Sequence, residues 1–412
     1  MPAQNKKTVV IYLYNRLFDP LIQSNFWLYI KDYLVDPTSP VRFHLVTYED
    51  PRFTLTRAEQ AQVERWRQQG LEWTQLTWHP GMELRRKLVD LFNGLVAVTR
   101  LRAGGCRHMV TLGSVAGTFG YVIARVLGMC LFLYQFEPHS ELSRDAGIWS
   151  TDSMQFRLSN ALERRAAHFA RVIASGTRFM RQRLQDEWGV KGKFLQIPTV
   201  ANDRKFTFDP AIRVAIRAEL GLTEQHKVLF YSGKFGGLYY GVETAWLFRW
   251  LSDMAPELRM LIVTPHDDEE VHELFDEASV PRNRYFIRHS SYDDIQQYYF
   301  AGDIGLVTIP PGPSQFFRSS IKVGEYLCSG MPYINPWGVS EDYLYATEQD
   351  VGVVVRDFSK EEVVAAWPAI RRLLEMDQCA LRTHCRAVGL DYRGFDTLKP
   401  RFTEAIDCLI EG

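Results

Sequence analysis

The sequence holds no cysteine pair of the form Cys-x-x-Cys. Its six cysteines lie at 106, 130, 328, 379, 385 and 408, too scattered to read as a disulfide scaffold or a zinc ribbon. Cys379 and Cys385 flank His384, but that trio lacks the ligands a zinc site needs, and reduced thiols are expected. There is no excess of charge either. Lys and Arg number 48 against 49 Asp and Glu, so no overall field draws the chain to nucleic acid, and none is expected as a partner. Long apolar runs are missing too. The longest, "YVIARVLGMCLFLYQF", is broken by Arg125 and is too short to span a bilayer. Lys6-Lys7 precede only "TVVIYLY" before Asn15-Arg16, so no signal peptide is expected and a cytoplasmic location is. Neither G-x-x-x-x-G-K-[ST] nor G-x-G-x-x-G occurs, which removes the fingerprints of ATP loops and dinucleotide folds.

What is present is a soluble globular composition, 46% hydrophobic and 24% charged, over a length that favours two domains. Short β-rich apolar runs alternate with amphipathic stretches, the pattern of parallel α/β architecture. In the first half the expected strands are 8–14, 43–48, 72–78, 108–113, 130–136 and 170–176, with helices over 83–102 and 116–128. The rhythm restarts at 227–233, followed by a helix over 241–254 and strands at 259–265, 284–290, 303–310, 331–336 and 351–357. A turn-rich segment begins near Ile197. The expected domains are 1–202 and 203–395, each Rossmann-like, with 396–412 a helix packing back on the first.

"DIGLVTIPPGPSQFFRSSIKVGEYLCSGMPYI" (303–334) reads as strand, Pro/Gly-rich loop, helix and next strand. Ser319 or Ser320 is a natural N-cap, and Gly330 stops the helix. Backbone N–H groups at Ile321 and Lys322 would then point from a helix start at the carboxyl end of a parallel strand, the usual anion-binding position. Lys322 adds a positive charge. Glu325, one turn on and roughly 5 Å farther along the axis, can accept two hydrogen bonds from a ribose diol.

Ser319, Lys322, Glu325, Tyr326, Gly330 and Pro332 together resemble the S-x-x-K-x-x-E-Y-x-x-x-G-x-P variant of the donor-binding motif of family 4 glycosyltransferases and their GT-B relatives. The resemblance implies a GT-B fold, two Rossmann-like domains with parallel sheets facing a central cleft. It also implies that Glu325 holds a nucleotide ribose, while Ser320, the amides near Ile321 and Lys322 hold the diphosphate. Many family members carry a further glutamate eight positions before Glu325, where this chain has Phe317.

Similar likenesses run through the rest of the chain. "KVLFYSGKFGGLYYGVE" (227–243) resembles the family's glycine-arginine loop, with Gly233 at the turn and Lys234 in place of the arginine. Tyr240 stands where a second basic residue is usual. A lysine there neutralises diphosphate as a point charge. At the tip of the strand ending near 136, Glu137 and His139 occupy the loop whose histidine commonly faces the donor sugar; the alternative is that His139 merely caps the loop. Asn15 and Arg16, where relatives have a glycine-rich turn, are candidate acceptor or phosphate contacts. Backbone near Ile287 and Arg288 is a candidate base reader. "HDDEE" (266–270) reads as a helix start favoured by the dipole.

The function these residues imply is transfer of a sugar from a nucleoside-diphosphate sugar to a glycan, lipid-linked or small-molecule acceptor. Catalytic candidates are His139, Glu137 and Lys234. The resemblance implies retention of configuration and no metal or other cofactor, and no Asp-x-Asp of the metal-dependent transferases occurs. A sugar-nucleotide epimerase on the same fold and a non-catalytic binding protein are the alternatives. Residues 83–107 combine Arg85, Arg86, Lys87, Arg100, Arg102 and Arg107 with Leu88, Leu91, Phe92, Leu95 and Val96. That pattern suits peripheral docking on the inner face of a membrane, and equally an ordinary packed helix with solvated charges.

Overall fold

A computed structural model describes residues 6–36, 38–81, 83–135 and 137–411. Phe136, the last residue of the expected strand 130–136, lies outside them. The chain divides into two compact units. Unit 1 is Met1–Pro198 with Leu398–Gly412, and unit 2 is Thr199–Thr397.

Unit 1 is built on seven parallel strands in the order β3-β2-β1-β4-β5-β6-β7. They are β1 Lys7–Leu13, β2 Val41–Glu49, β3 Glu72–Thr77, β4 His108–Leu112, β5 Cys130–Gln135, β6 Val172–Ser175 and β7 Lys193–Gln196. Val9 to Leu13 are wholly buried, as a continuous apolar run must be when helices cover both faces of a sheet. The last stretch of chain joins this core. Phe402 stacks on Tyr29 at 4.4 Å between ring centroids and meets Phe26 edge-on at 5.7 Å.

Unit 2 holds six parallel strands in the order β10-β9-β8-β11-β12-β13. These are β8 Lys227–Ser232, β9 Leu258–Val263, β10 Tyr285–Arg288, β11 Ile304–Leu306, β12 Tyr333–Pro336 and β13 Gly352–Val355. Strand order reverses between β8 and β11 here, and between β1 and β4 in unit 1. Ligands of open α/β sheets gather at the carboxyl ends of strands at such reversals.

Every expected strand is present, and the helices Leu84–Ala103, Ser114–Leu127, Val242–Met254 and Ile321–Cys328 occupy the expected stretches. Strand β7 is an addition. Its four residues bury only Leu195, too little alternation to announce a strand. The units part at Pro198, before the expected boundary at 202. Thr199 and Ala201 are the reason: both bond to Arg393 of unit 2. Among the described residues no helix is long and apolar enough to cross a membrane.

Helix Ile321–Cys328 is held from behind by helix Gln378–Arg393. Gly389 allows the approach, since a Cβ there would lie 2.7 Å from the Leu327 carbonyl carbon and 2.8 Å from the Cys328 nitrogen. Gly389→Ala should therefore cost about 1–3 kcal/mol through overpacking. A drop in denaturant midpoint with unchanged slope would show it; an unchanged midpoint would refute the close packing.

Candidate functional site

Strand β8 ends at Ser232, and the chain turns at Gly233 with φ +147°. That glycine is required on two counts. Side chains rarely adopt this backbone angle, and a Cβ would lie 2.8 Å from Lys322 Nζ. The Lys322 ammonium thus rests against bare backbone at the mouth of the β8–β11 reversal. Two rings of the same segment flank it, Tyr239 with its centroid 4.4 Å away and Tyr231 at 5.6 Å.

The helix carrying Lys322 starts without a side-chain cap. Ser320 is its N-cap residue in extended conformation, yet its hydroxyl makes no cap hydrogen bond. Ser319 is committed elsewhere, accepting from the Thr199 amide at 3.0 Å and from Arg393 at 2.8 Å. The amides of the first turn are therefore left for something outside the helix.

Lys322 is half-buried and has no ion pair or hydrogen bond among the described residues. Burial lowers its pKa, Arg318 adds to the lowering, and Tyr239 and Glu325 oppose it. Glu325, 6% exposed, accepts from the Tyr299 hydroxyl at 2.6 Å, and Tyr299 also shares a 2.7 Å hydrogen bond with Ser232. Burial pushes the Glu325 carboxyl up to about 7 against the pull of Tyr299, Lys322 and Lys205. Tyr299 is its one hydrogen-bond partner among the described residues. The Tyr292 hydroxyl, within the field of Glu325, is buried without a partner. An uncapped helix start, an ammonium lacking a counter-ion and a carboxyl with spare acceptor capacity together suit an anionic ligand that also carries hydroxyls.

The other expected residues are placed as follows. Lys234 is exposed, directly after Gly233. Tyr240 stacks on Phe358 at 4.4 Å, a packing role in place of the missing charge. At the end of β10, the Arg288 guanidinium bonds to its neighbour's carbonyl at 2.9 Å and to Glu219 at 3.4 Å, which leaves the expected backbone contact untouched. In unit 1, His139 opens the helix His139–Asp145 and is half-buried, its ring edge-on to Trp149 at 5.4 Å. Burial lowers its pKa against the pull of Glu137, favouring neutral imidazole. Glu137 lies two residues earlier, its carbonyl accepting from Ser114 at 2.6 Å. Asn15 is tied to Asp19 at 3.2 Å, and Arg16 lies 4.0 Å from the Phe53 ring centroid.

Arg318 was not among the expected residues. It bonds to the Tyr239 hydroxyl at 3.4 Å and faces the same ring as Lys322. The adjacency in "FRSSIK" was its only sequence signal. Tyr299 and Tyr292 gave none. Among the described residues no cluster of three His, Cys, Asp or Glu side chains is placed to hold a metal ion.

No family model matches the sequence, and no curated protein matches it. Solved structures do match its fold. Sucrose-phosphate synthase from Thermosynechococcus elongatus superposes with a TM-score of 0.73 at 13% identity, covering 98% of this chain and 99% of that one. HepE of Anabaena, in complex with UDP, gives 0.70 at 13% over 97% and 99%. WaaG, described as a glycosyltransferase of lipopolysaccharide biosynthesis, gives 0.67 at 16% over 98% and 100%. The fold class is therefore GT-B along the whole chain; at these identities the likeness is one of fold.

The raised Glu325 carboxyl has a consequence for stability. An acid whose folded pKa exceeds its unfolded value binds more protons when folded, so stability is present below the unfolded pKa of 4.5 and is lost as pH rises through about 7. A loss on the order of 3 kcal/mol is expected between those limits. Unfolding titrations of the wild type and Glu325→Gln from pH 4.5 to 8 should show a shallower slope in the variant, the remainder coming from Glu163, whose carboxyl burial also pushes up to about 7; equal slopes would place the titration outside Glu325.

Proposed function

We propose that the chain is a glycosyltransferase that binds a nucleoside-diphosphate sugar in unit 2 and transfers its sugar to a glycan, lipid-linked or small-molecule acceptor. The observation that carries this reading is the unpaired Lys322 ammonium at an uncapped helix start, one turn before the buried Glu325. HepE, of the same fold, was solved with UDP-glucose, which supports a nucleotide sugar as the ligand class.

The diphosphate would take the amides near Ile321, the Ser320 hydroxyl and Lys322, with Lys234 and Arg318 adding charge. The ribose diol would donate to Glu325, whose burial makes new donors valuable. As the bond to the sugar breaks, negative charge grows on the leaving diphosphate. The preorganised ammonium and helix start stabilise it without reorganising. In this reading the protein's own cations do that work, no metal is assigned, and configuration is retained. Neutral His139, with Glu137 beside it, would offer a hydrogen bond to a sugar hydroxyl. Asn15 and Arg16 would touch acceptor or phosphate only after leaving Asp19 and Phe53. Near Arg288 the base would meet backbone, since the guanidinium is engaged.

Membrane docking is part of the proposal. On helix Leu84–Ala103, Leu84, Leu88, Val89 and Phe92 are 55%, 55%, 47% and 63% exposed, a stripe at helical spacing beside Arg85 and Arg86. Apolar side chains flanked by cations suit an anionic bilayer surface, here the cytoplasmic face.

Binding, turnover and flotation measurements test these statements. Thermal shift with UDP, GDP and ADP should identify a stabilising nucleotide. Glu325→Ala should then weaken its binding ~10-fold or more with the fold intact, and Lys322→Ala should slow nucleotide release from the corresponding sugar nucleotide by a comparable factor. Unchanged affinity in the first variant would refute the donor site. In flotation with vesicles containing phosphatidylglycerol, the wild type should bind and Leu88→Ser/Phe92→Ser should not; binding by both would move the contact elsewhere.

A further inference from the structure

The carboxyl ends of β1 and β3 carry a second polar constellation, in unit 1. Asp90 of helix Leu84–Ala103 is fully buried, and its two oxygens have separate partners. One accepts from the Tyr14 hydroxyl, just beyond β1, and the other pairs with His79 Nδ1, just beyond β3, at 2.5 Å. A carboxylate only accepts, so Nδ1 carries the hydrogen, and in that Nδ1–H tautomer Nε2 is an acceptor. The His79 side chain is 36% exposed while Asp90 is not exposed at all, which makes the imidazole the outward member of the pair. Lys87, one turn before Asp90, donates to the Tyr14 hydroxyl at 2.8 Å. It has no other hydrogen bond and no ion pair among the described residues. The ammonium lies 4.9 Å from the Tyr14 ring centroid and 5.6 Å from that of Trp78. Phe119 meets Tyr14 edge-on at 5.1 Å.

We propose that Tyr14, Trp78, His79 and Lys87 form a carbohydrate-binding site for a neutral sugar with two neighbouring hydroxyls. One hydroxyl donates to His79 Nε2 and the other accepts from Lys87. An acceptor nitrogen beside an ammonium with unused donors calls for a ligand that both donates and accepts, which a sugar diol does and the dianion of a phosphate monoester, having no O–H, does not. Charge agrees. Asp90 offsets Lys87, so the constellation lacks the surplus of cation an anion would need. Trp78 and Phe119, both half-buried, offer apolar surface to the C–H face of a pyranose. The ligand is the transferase's acceptor if the reading above holds, and the site is defined without that reading.

The test titrates the full chain with methyl glucoside, galactoside and mannoside, and separately with inorganic phosphate, following the His79 Hε1 resonance. A saturable millimolar shift with at least one glycoside and none with phosphate is expected. Lys87→Met should weaken that glycoside ~10-fold. His79→Ala would leave Asp90 buried with one oxygen unpaired, so the informative variant is His79→Asn, whose amide can still reach Asp90 while Nε2 is lost. It should keep the wild-type melting temperature and lose ~10-fold in glycoside affinity by calorimetry. No response to any glycoside up to about 0.1 M, a response to phosphate alone, or full affinity in His79→Asn overturns the proposal. Nucleotide-induced thermal shift on the same samples reports the donor site independently.

Discussion

The ion pair between Arg393 and Asp342 fixes the geometry on which unit 2 depends. Both side chains have zero exposure, so each is left as a buried charge if the other is removed, a far larger penalty than losing a surface pair. Arg393 Nη1 donates to Thr199 Oγ1 and Ser319 Oγ, at 2.6 and 2.8 Å, and Tyr392 donates to Asp342 at 3.0 Å. One guanidinium thereby joins the first residue of the unit, the segment before helix Ile321–Cys328, the residue that begins helix Asp342–Glu348, and the end of helix Gln378–Arg393. The start of helix Ile321–Cys328 is held because Ser319 cannot move without breaking its buried hydrogen bonds with Arg393 and the Thr199 amide.

A fixed helix start lets Lys322 and Glu325 occupy positions that neither would choose alone. Lys322 is desolvated against Gly233 and two tyrosines, and the ring faces return part of the lost hydration as cation–π attraction. Glu325 is desolvated beneath Tyr299, and its proton affinity rises accordingly. The two sit one turn apart yet make no ion pair among the described residues. Each keeps its capacity for an outside partner, the arrangement of a site prepared at some cost to the empty protein.

Much of this was readable from residue order. Parallel strands buried on both faces announce themselves as apolar runs, so twelve of the thirteen strands among the described residues are legible. β7, half-exposed and four residues long, carried no such signal. Lys322 and Glu325 were legible because a single helix turn relates them. The role of Ser319 was not, since Thr199 and Arg393 are distant in sequence. The pairing of Arg288 with Glu219, sixty-nine positions away, was hidden for the same reason. Tyr14, His79 and Asp90 come from three separate segments, and a dyad assembled from strand ends has no spacing to recognise.

The charges of the two constellations separate the ligands they suit. Around Glu325, the cations Lys322, Lys205 and Arg318 face one carboxyl that burial already inclines toward protonation. Lys322 has no counter-ion among the described residues, and the diphosphate proposed above would supply one. Around Asp90, a carboxylate with two hydrogen-bond partners faces one ammonium, and the balance is close without a ligand. A neutral polyol enters such a site without disturbing that balance, whereas an anion would have to be desolvated next to Asp90. Desolvation cost scales with the uncompensated charge of the pair formed. In the two proposed sites, charge would therefore separate the ligands before any question of shape arises.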